Sequence, residues 1–492
     1  MATVPVPEQP NLDQLRKQAR ELQRAVRAGD PAALGSVGID QADPEFPLHE
    51  AQFALAHRYG FASWTRLKRH VAAIADRSWV FAPASPEQSP ADRFLRLACV
   101  DYTRDGKVDH HAARAVLREY PALAPQSLAV AAVSGDVAQV RQLLAERSVA
   151  AGASASPFGW PPLMYLTYGR YPIDADATFA VARALLDAGA DPNDGRFFLG
   201  LPTPFTVLTG IFGGGEPDPS PHPHAIGLAR LLLAAGAEAN DGQALYNRMF
   251  SPVDDFLEVL FEFGLGRGDG GPWRQLLPDV LPAPNTILDG LINWAVTHDQ
   301  RARIALLAEH GVDLDRPDSK GVRPVQLAIR SGHRQLVDLL LSLGVARVEV
   351  DPVESLIAAF LAGDPDAVHA ASPALIQAAR RARPGLVVWA ANLQRRDAVE
   401  LLVEAGFDVN ALARSDLMLE QPWQSALHTT VERDDLPLAR RLLELGADPD
   451  LRDRRYDATP LDWARHLDRP ELVVLLSPDG AAANSDDDAA TP

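Results

Sequence analysis

The residues of this chain that could do chemistry are scattered, and their spacing argues against a catalytic centre. GRGDGG (266–271) fits G-x-G-x-x-G. A dinucleotide loop of that type follows a strand and opens a helix. Here the run DDFLEVLFEFG precedes it and Pro272 follows, so a flexible loop is expected. His222 and His224 lie in GGGEPDPSPHPH (213–224). A metal would need further ligands on a rigid frame, and the surrounding Pro and Gly indicate a solvated loop. Cys99, in RLACVDY, reads as a small core residue, because a reactive thiol needs an exposed, electropositive setting. His110, His111 and His310 read as surface and helix-end residues. Asp191, Asp313, Asp408 and Asp448 fall at equivalent points of similar segments, whereas catalysis requires one distinguished pair. H-E-x-x-H, G-x-x-x-x-G-K-[ST] and G-x-S-x-G do not occur. No catalytic, cofactor-binding or metal-ligating residue is assigned, and no cofactor is expected.

The elements that would have to position such residues are repetitive. Six stretches end an apolar run in Gly: LLDAGADPN (185–193), LLLAAGAEAN (231–240), LLAEHGVDLD (306–315), LLLSLGVAR (339–347), LLVEAGFDVN (401–410) and LLELGADPD (442–450). Each reads as a helix whose terminal Gly takes the left-handed conformation that other residues adopt only at a steric cost. Another set reads as helix starts: PPLMYL (161–166), TPFTVL (203–208), RPVQLA (323–328), SALHTT (425–430) and TPLDWA (459–464). Thr caps the helix, Pro takes the first helical position, and the following Leu enters the core.

With TPLDWA and the GADPN-like endings, the chain resembles the ankyrin-repeat family, whose pattern includes T-P-L-H-x-A and whose period is 33 residues. Gly311 and Gly344 are 33 residues apart. The resemblance spans roughly 91–478 and about ten units; 126–158, 242–283 and 352–383 are assigned mainly by spacing. It implies an all-α solenoid of helix-turn-helix repeats with short fingers, and a structural hydrogen bond for His428 at the His position of the motif. The segment LDQLRKQARELQRAVRAGD with YGFASWTRLKRHV resembles one that precedes ankyrin repeats in bacterial proteins, and that resemblance implies no activity.

The 492 residues are 47% hydrophobic and 23% charged, ordinary for a folded protein. Net charge is −18, which argues against a general electrostatic binder of nucleic acid. One cysteine excludes an internal disulfide, and no apolar run of 18 residues is present to span a membrane. No basic-plus-apolar signal opens the chain, so the cytoplasm is the expected location. Arginine far outnumbers lysine, as in GC-rich bacterial genes. A helix over 11–28 is expected, capped by Asn11 and stopped at Gly29, with Ser63 capping a later one. Residues 1–80 read as an N-terminal helical module, 81–90 as a Pro/Ser-rich linker, 91–478 as the solenoid and 479–492 as a disordered acidic tail.

Two insertions, YGRYPIDADAT (168–178) and GGGEPDPSPHPH (213–224), fall between first and second helices and are expected to project from one edge, where Gly214 would tolerate substitution. Two fingers carry large apolar residues: Phe197 and Phe198 in NDGRFFLGLP (193–202), and Leu417, Met418 and Trp423 in LARSDLMLEQPW (412–423). They either face a partner or fold back over the neighbouring repeat. Arg16, Arg20 and Arg24, with Arg27, form a stripe on the first helix. They either dock an acidic partner or RNA, or form a solvated face or one lying against the acidic solenoid.

The expected function is non-catalytic: a monomeric scaffold holding a protein partner on its concave face and fingers, with no nucleic acid and no membrane. The alternative is a regulatory subunit acting on an enzyme in trans through the basic N-terminal module; an enzyme in its own right ranks third.

Overall fold

The computed structural model describes residues 10–79, 88–103, 108–146, 150–198, 201, 203–215, 219–415 and 421–477. It is predominantly helical and divides into two compact units, Met1–Leu291 and Ile292–Pro492.

The first unit opens with the helices Leu12–Arg27, Pro31–Val37, Leu48–Arg58 and Trp64–Arg77. Asn11 caps the first by accepting from the Asp13 and Gln14 amides, and Ser63 caps the fourth through the Arg66 amide. Leu15 and Ala19 meet Leu55, Phe61, Leu67 and Val71 in a small core, as the 3.6-residue period requires. These helices do not stand apart. Ala73 and Ile74 pack against Phe197 and Leu277. Arg66 pairs with Asp279 at 2.5 Å, and the Trp79 amide donates to the Phe197 carbonyl at 2.9 Å. The Trp79 ring then enters an aromatic cluster with Tyr102, Trp160, Tyr168, Phe198 and Phe205. The compact unit therefore continues from the N-terminal helices to Leu291, instead of breaking near 80–90.

Beyond them, helices stack in pairs. Leu128–Ser134, Pro162–Tyr168, Val207–Phe212 and Gly242–Met249 pack in succession, as do Val137–Ala145, Ala175–Asp187, Ala225–Ala234 and Asp255–Glu262. A two-stranded antiparallel ribbon, Gly195–Phe197 with Pro204–Thr206, lies at one turn. It moves one expected helix start. TPFTVL begins as strand, and Thr206, not Thr203, caps the helix with a capping box to Thr209.

In the second unit, Leu386–Asn392, Ala426–Arg433 and Pro460–His466 pack in succession, and Leu436–Glu444 packs on Pro470–Leu476. Its hydrophobic core runs from Leu356 to Leu476. All six expected helix-ending glycines, Gly189, Gly236, Gly311, Gly344, Gly406 and Gly446, have φ between 74° and 99°. The segments assigned by spacing also hold helices, among them Pro352–Leu361 and Pro373–Ala382.

Candidate functional site

The site is built on a turn of the second unit. Asp453 is 2% exposed, and its carboxylate accepts from the amides of Arg455 (2.7 Å), Tyr456 (2.6 Å) and Ala458 (3.1 Å) and from Trp463 Nε1 (3.0 Å). Burial alone would raise its pKa, but these four donors hold it below the usual carboxylate range. The anion thus ties the turn to the first turns of Pro460–His466, and it sets the directions of Arg455 and Tyr456.

The preceding finger closes on itself. Ala413 and Gln424 exchange both backbone hydrogen bonds, at 2.9 and 3.0 Å. This brings Trp423 between two guanidinium groups, with Arg414 4.8 Å and Arg455 4.7 Å from its ring centroid. Arg455 also lies 5.1 Å from the Tyr456 ring. Such stacking suits Arg, whose planar cation packs on aromatic faces. The Arg454 amide anchors the finger to the Trp423 carbonyl at 2.8 Å.

Together these elements border an open cavity of about 720 Å³. Trp423, Tyr456, Trp463 and Leu467 supply its apolar wall, and Glu432 and Asp462 its acidic edge. Tyr456 is 61% exposed. Glu432 accepts from Ser415 and Gln424, and Asp462 is engaged in the Thr459 capping box. An apolar wall with a few fixed polar groups is suited to a side chain or short segment of a partner. Tyr456, Trp463 and Arg455 were missed by the sequence reasoning. Their signal, two aromatics and two arginines in RRYDATPLDW, was absorbed by the helix-start motif.

The other expected site residues fall differently. Phe197 is 2% exposed, so the expectation of a projecting side chain there is corrected. As a strand residue in the ribbon it faces Ile74, Leu277 and Trp273, its ring perpendicular to that of Trp273 at 5.6 Å. Phe198 is half-buried, 5.1 Å from both Trp79 and Phe205. Leu417 and Met418 lie outside the described residues, as do residues 81–87 of the expected linker and the tail 479–492. Arg16, Arg20 and Arg24 are all exposed. Arg16 pairs with Asp13 at 2.8 Å, and Arg24 Nε donates to the Arg20 carbonyl.

The described residues of the insertions fold down instead of projecting, for a polar reason. Arg170, in the first insertion, donates to the carbonyls of Thr167, Gly169, Gly210 and Ser220, so the second insertion is tied to it. The His222 amide donates to the Ile211 carbonyl, and the Gly215 amide to that of Asn247. Burial, with Arg170 and His224 nearby, lowers the His222 pKa to about 3 and keeps it neutral. His224 Nε2 donates to the Ile173 carbonyl at 2.9 Å. His428 has the structural role implied for it: its ring engages Ser425 and bridges to the Ala458 carbonyl at 3.0 Å. Among the described residues no three His, Cys, Asp or Glu side chains converge as a metal site, and no helix is long and apolar enough to cross a membrane.

Residues 423–454 match the family model of the ankyrin repeat. The match begins at Trp423 and covers Ala426–Arg433, Leu436–Glu444 and the Gly446 turn, so it runs along one side of the cavity. A repeat of this kind is a protein–protein interaction motif, which supports a binding role.

Proposed function

We propose that this chain is a non-catalytic scaffold: an ankyrin-type solenoid, preceded by a helical segment, that acts in the cytoplasm as a monomer and holds a protein partner. The observation that carries this reading is the open aromatic cavity at Trp423, Tyr456 and Trp463, beside the matched repeat. A partner inserting one apolar side chain there would gain area against groups already fixed by Asp453, with little ordering cost. Neighbouring first helices and fingers would supply the rest of an interface of about 800 Å² per side. A second reading, regulation of an enzyme in trans, is favoured by the exposed Arg16, Arg20 and Arg24.

In-cell cross-linking with mass spectrometry identifies the partner, and its affinity is then compared for wild type and Tyr456→Ala. Tyr456 is exposed enough that its loss should change stability by no more than about 0.5 kcal/mol. Binding should weaken by about tenfold or more if the cavity is the contact, as expected for an anchoring aromatic. An unchanged affinity would remove the cavity from the interface.

A further inference from the structure

The first unit holds a cavity of its own, of about 590 Å³, within the range of sites for small organic ligands. Phe198, Phe205, Leu245 and Tyr246 form its apolar walls. Gly215, Gly242 and Gly290 also line it, and a Cβ placed on Gly290 would meet nothing within 4 Å. Gly290 lies in the helix Asp289–Thr297, a setting in which glycine is unfavourable relative to alanine. Here it leaves space open.

The floor is polar and ordered. The Thr203 hydroxyl donates to Gln243 Oε1. Gln243 Nε2 donates to Asn247 Oδ1 at 2.8 Å, and Asn247 Nδ2 donates to the Tyr102 hydroxyl at 3.1 Å. Gln243, Asn247 and Tyr102 are 6%, 3% and 8% exposed. Each amide uses one of its two N–H bonds in this chain. The second N–H of each, and the Tyr102 O–H, meet no acceptor among the described residues. Buried donors left open are costly, and these three sit at a cavity where an acceptor could be received. Tyr102 is itself held at φ 55°, a left-handed conformation that a bulky residue keeps only where its surroundings enforce it. Burial pushes its phenol pKa up, so it stays a donor at neutral pH. None of the residues lining the cavity is Asp, Glu, Lys, Arg or His. A charged ligand would be desolvated there without a counter-charge.

We propose that this cavity binds a small neutral molecule with a flat apolar body and a carbonyl or amide oxygen at one end. The body lies against Phe198, Phe205 and Tyr246, and the oxygen accepts from Gln243, Asn247 and Tyr102. This site is separate from the protein-binding reading and does not rest on it.

The test uses the full chain and two probes of one shape, 2-naphthamide and 2-naphthoate, followed by ligand-observed saturation-transfer NMR. The amide should bind saturably and the carboxylate about tenfold more weakly or worse. Gly290→Phe fills the open space and should abolish amide binding while leaving circular dichroism and melting unchanged. Tyr102→Phe removes one donor and should weaken amide binding about three- to tenfold, the equivalent of one hydrogen bond. Absence of saturable amide binding, equal binding of both probes, or full binding by a folded Gly290→Phe protein would each overturn the proposal. If Gly290→Phe does not fold, Tyr102→Phe decides, and an unchanged affinity there overturns it.

Discussion

The two units use similar helix pairs but fill them differently. In the first, Trp160, Tyr165, Tyr168, Phe205 and Phe212 are buried on or beside the first helices, and the insertions are held down by Arg170. In the second, the core is mostly Ala, Val and Leu, with fewer buried aromatics, Phe360, Trp389 and Phe407. Its helix pairs near the matched segment are fixed by local devices: capping boxes at Ser425 and Thr459, and His428 bridging to Ala458. The difference shows two ways to stack helix pairs. Small residues and caps make contacts within a helix pair or to the next one, and the family match falls in such a segment. Large aromatics and inserted chain impose long-range contacts that must be satisfied individually.

The largest expected effect tests that long-range character. Trp79 is 4% exposed and joins the N-terminal helices to the aromatic cluster. Trp79→Ala should cost the first unit about 3–5 kcal/mol, the range for deleting a buried Trp or Phe, and should leave the second unit's transition in place. Chemical denaturation followed by unit-specific hydrogen exchange reads this directly. A single shared transition, shifted as a whole, would erase the energetic distinction between the units.

Gly214 and Gly406 come next. Gly214 is in the folded-down insertion at φ 72°, and a Cβ there would stand 2.4 Å from the Asn247 carbonyl oxygen. Gly406 ends a helix at φ 83°, and a Cβ there would stand 3.1 Å from the movable end of Arg380. Both conformations penalise a side chain, but backbone cannot yield as a guanidinium can. Gly214→Val is expected to cost about 2–4 kcal/mol and Gly406→Val about 1–2 kcal/mol. The reverse order in urea melts would mean that the insertion is free, as its sequence suggests.

That reversal shows what was legible. Asn11, Ser63 and the six helix-ending glycines act on groups a few residues away, so spacing alone identifies them, while the role of His428 was implied by the family resemblance. Trp79, Phe197 and Arg170 each also act on partners 40 or more positions away, Trp160, Trp273 and Gly210 among them. Gly-Gly-Gly followed by Pro-rich chain reads as loose, because nothing local says that Ser220 faces a buried guanidinium. Phe197 illustrates the same limit: adjacent phenylalanines in a turn signal exposure, until a ribbon sends one inward and leaves the other half-buried. Trp423 was legible as a finger residue, while the turn that frames it depends on Asp453.

Acid should also separate the units. In the first, burial lowers the His70 pKa to about 4 and that of His222 to about 3. The folded unit then binds fewer protons than the unfolded chain, so stability is full above pH 6.5 and falls as pH drops towards 4. Each histidine contributes a loss of at most about 2 kcal/mol at pH 5, at about 1.4 kcal/mol per pH unit. In the second unit His333 and His428 are also lowered by burial, but hydrogen bonds to the Thr297 and Ala458 carbonyls oppose the shift. Urea titrations at pH 7.5 and 5.0 should therefore show the larger decline in the first unit. Replacing His70 with Phe should reduce that decline, and a decline unchanged by the replacement would assign it to carboxylates.

The smallest expected effect concerns the arginine stripe, and it bears on which region meets a partner. Arg16, Arg20 and Arg24 are exposed, and the Arg16–Asp13 pair has side chains 49% and 86% accessible. Pairs of that kind contribute between nothing and about 1 kcal/mol, with salt reducing the value further. The buried face of the same helix, through Leu15, Ala19 and Val26, holds it in place without them. Changing all three arginines to Gln should thus shift stability by no more than about 0.5 kcal/mol. Removing three positive charges from a chain of net charge −18 would slow encounter with an acidic partner but leave an apolar contact intact. If the cavity at Trp423 is the interface, partner affinity should be unchanged in the triple variant and weakened about tenfold or more in Tyr456→Ala. If the stripe docks the partner, the pattern inverts, with affinity falling in the triple variant and its salt dependence becoming shallower. Measuring both variants at two ionic strengths separates the readings, because a salt-dependent loss arises only where exposed charges make the contact.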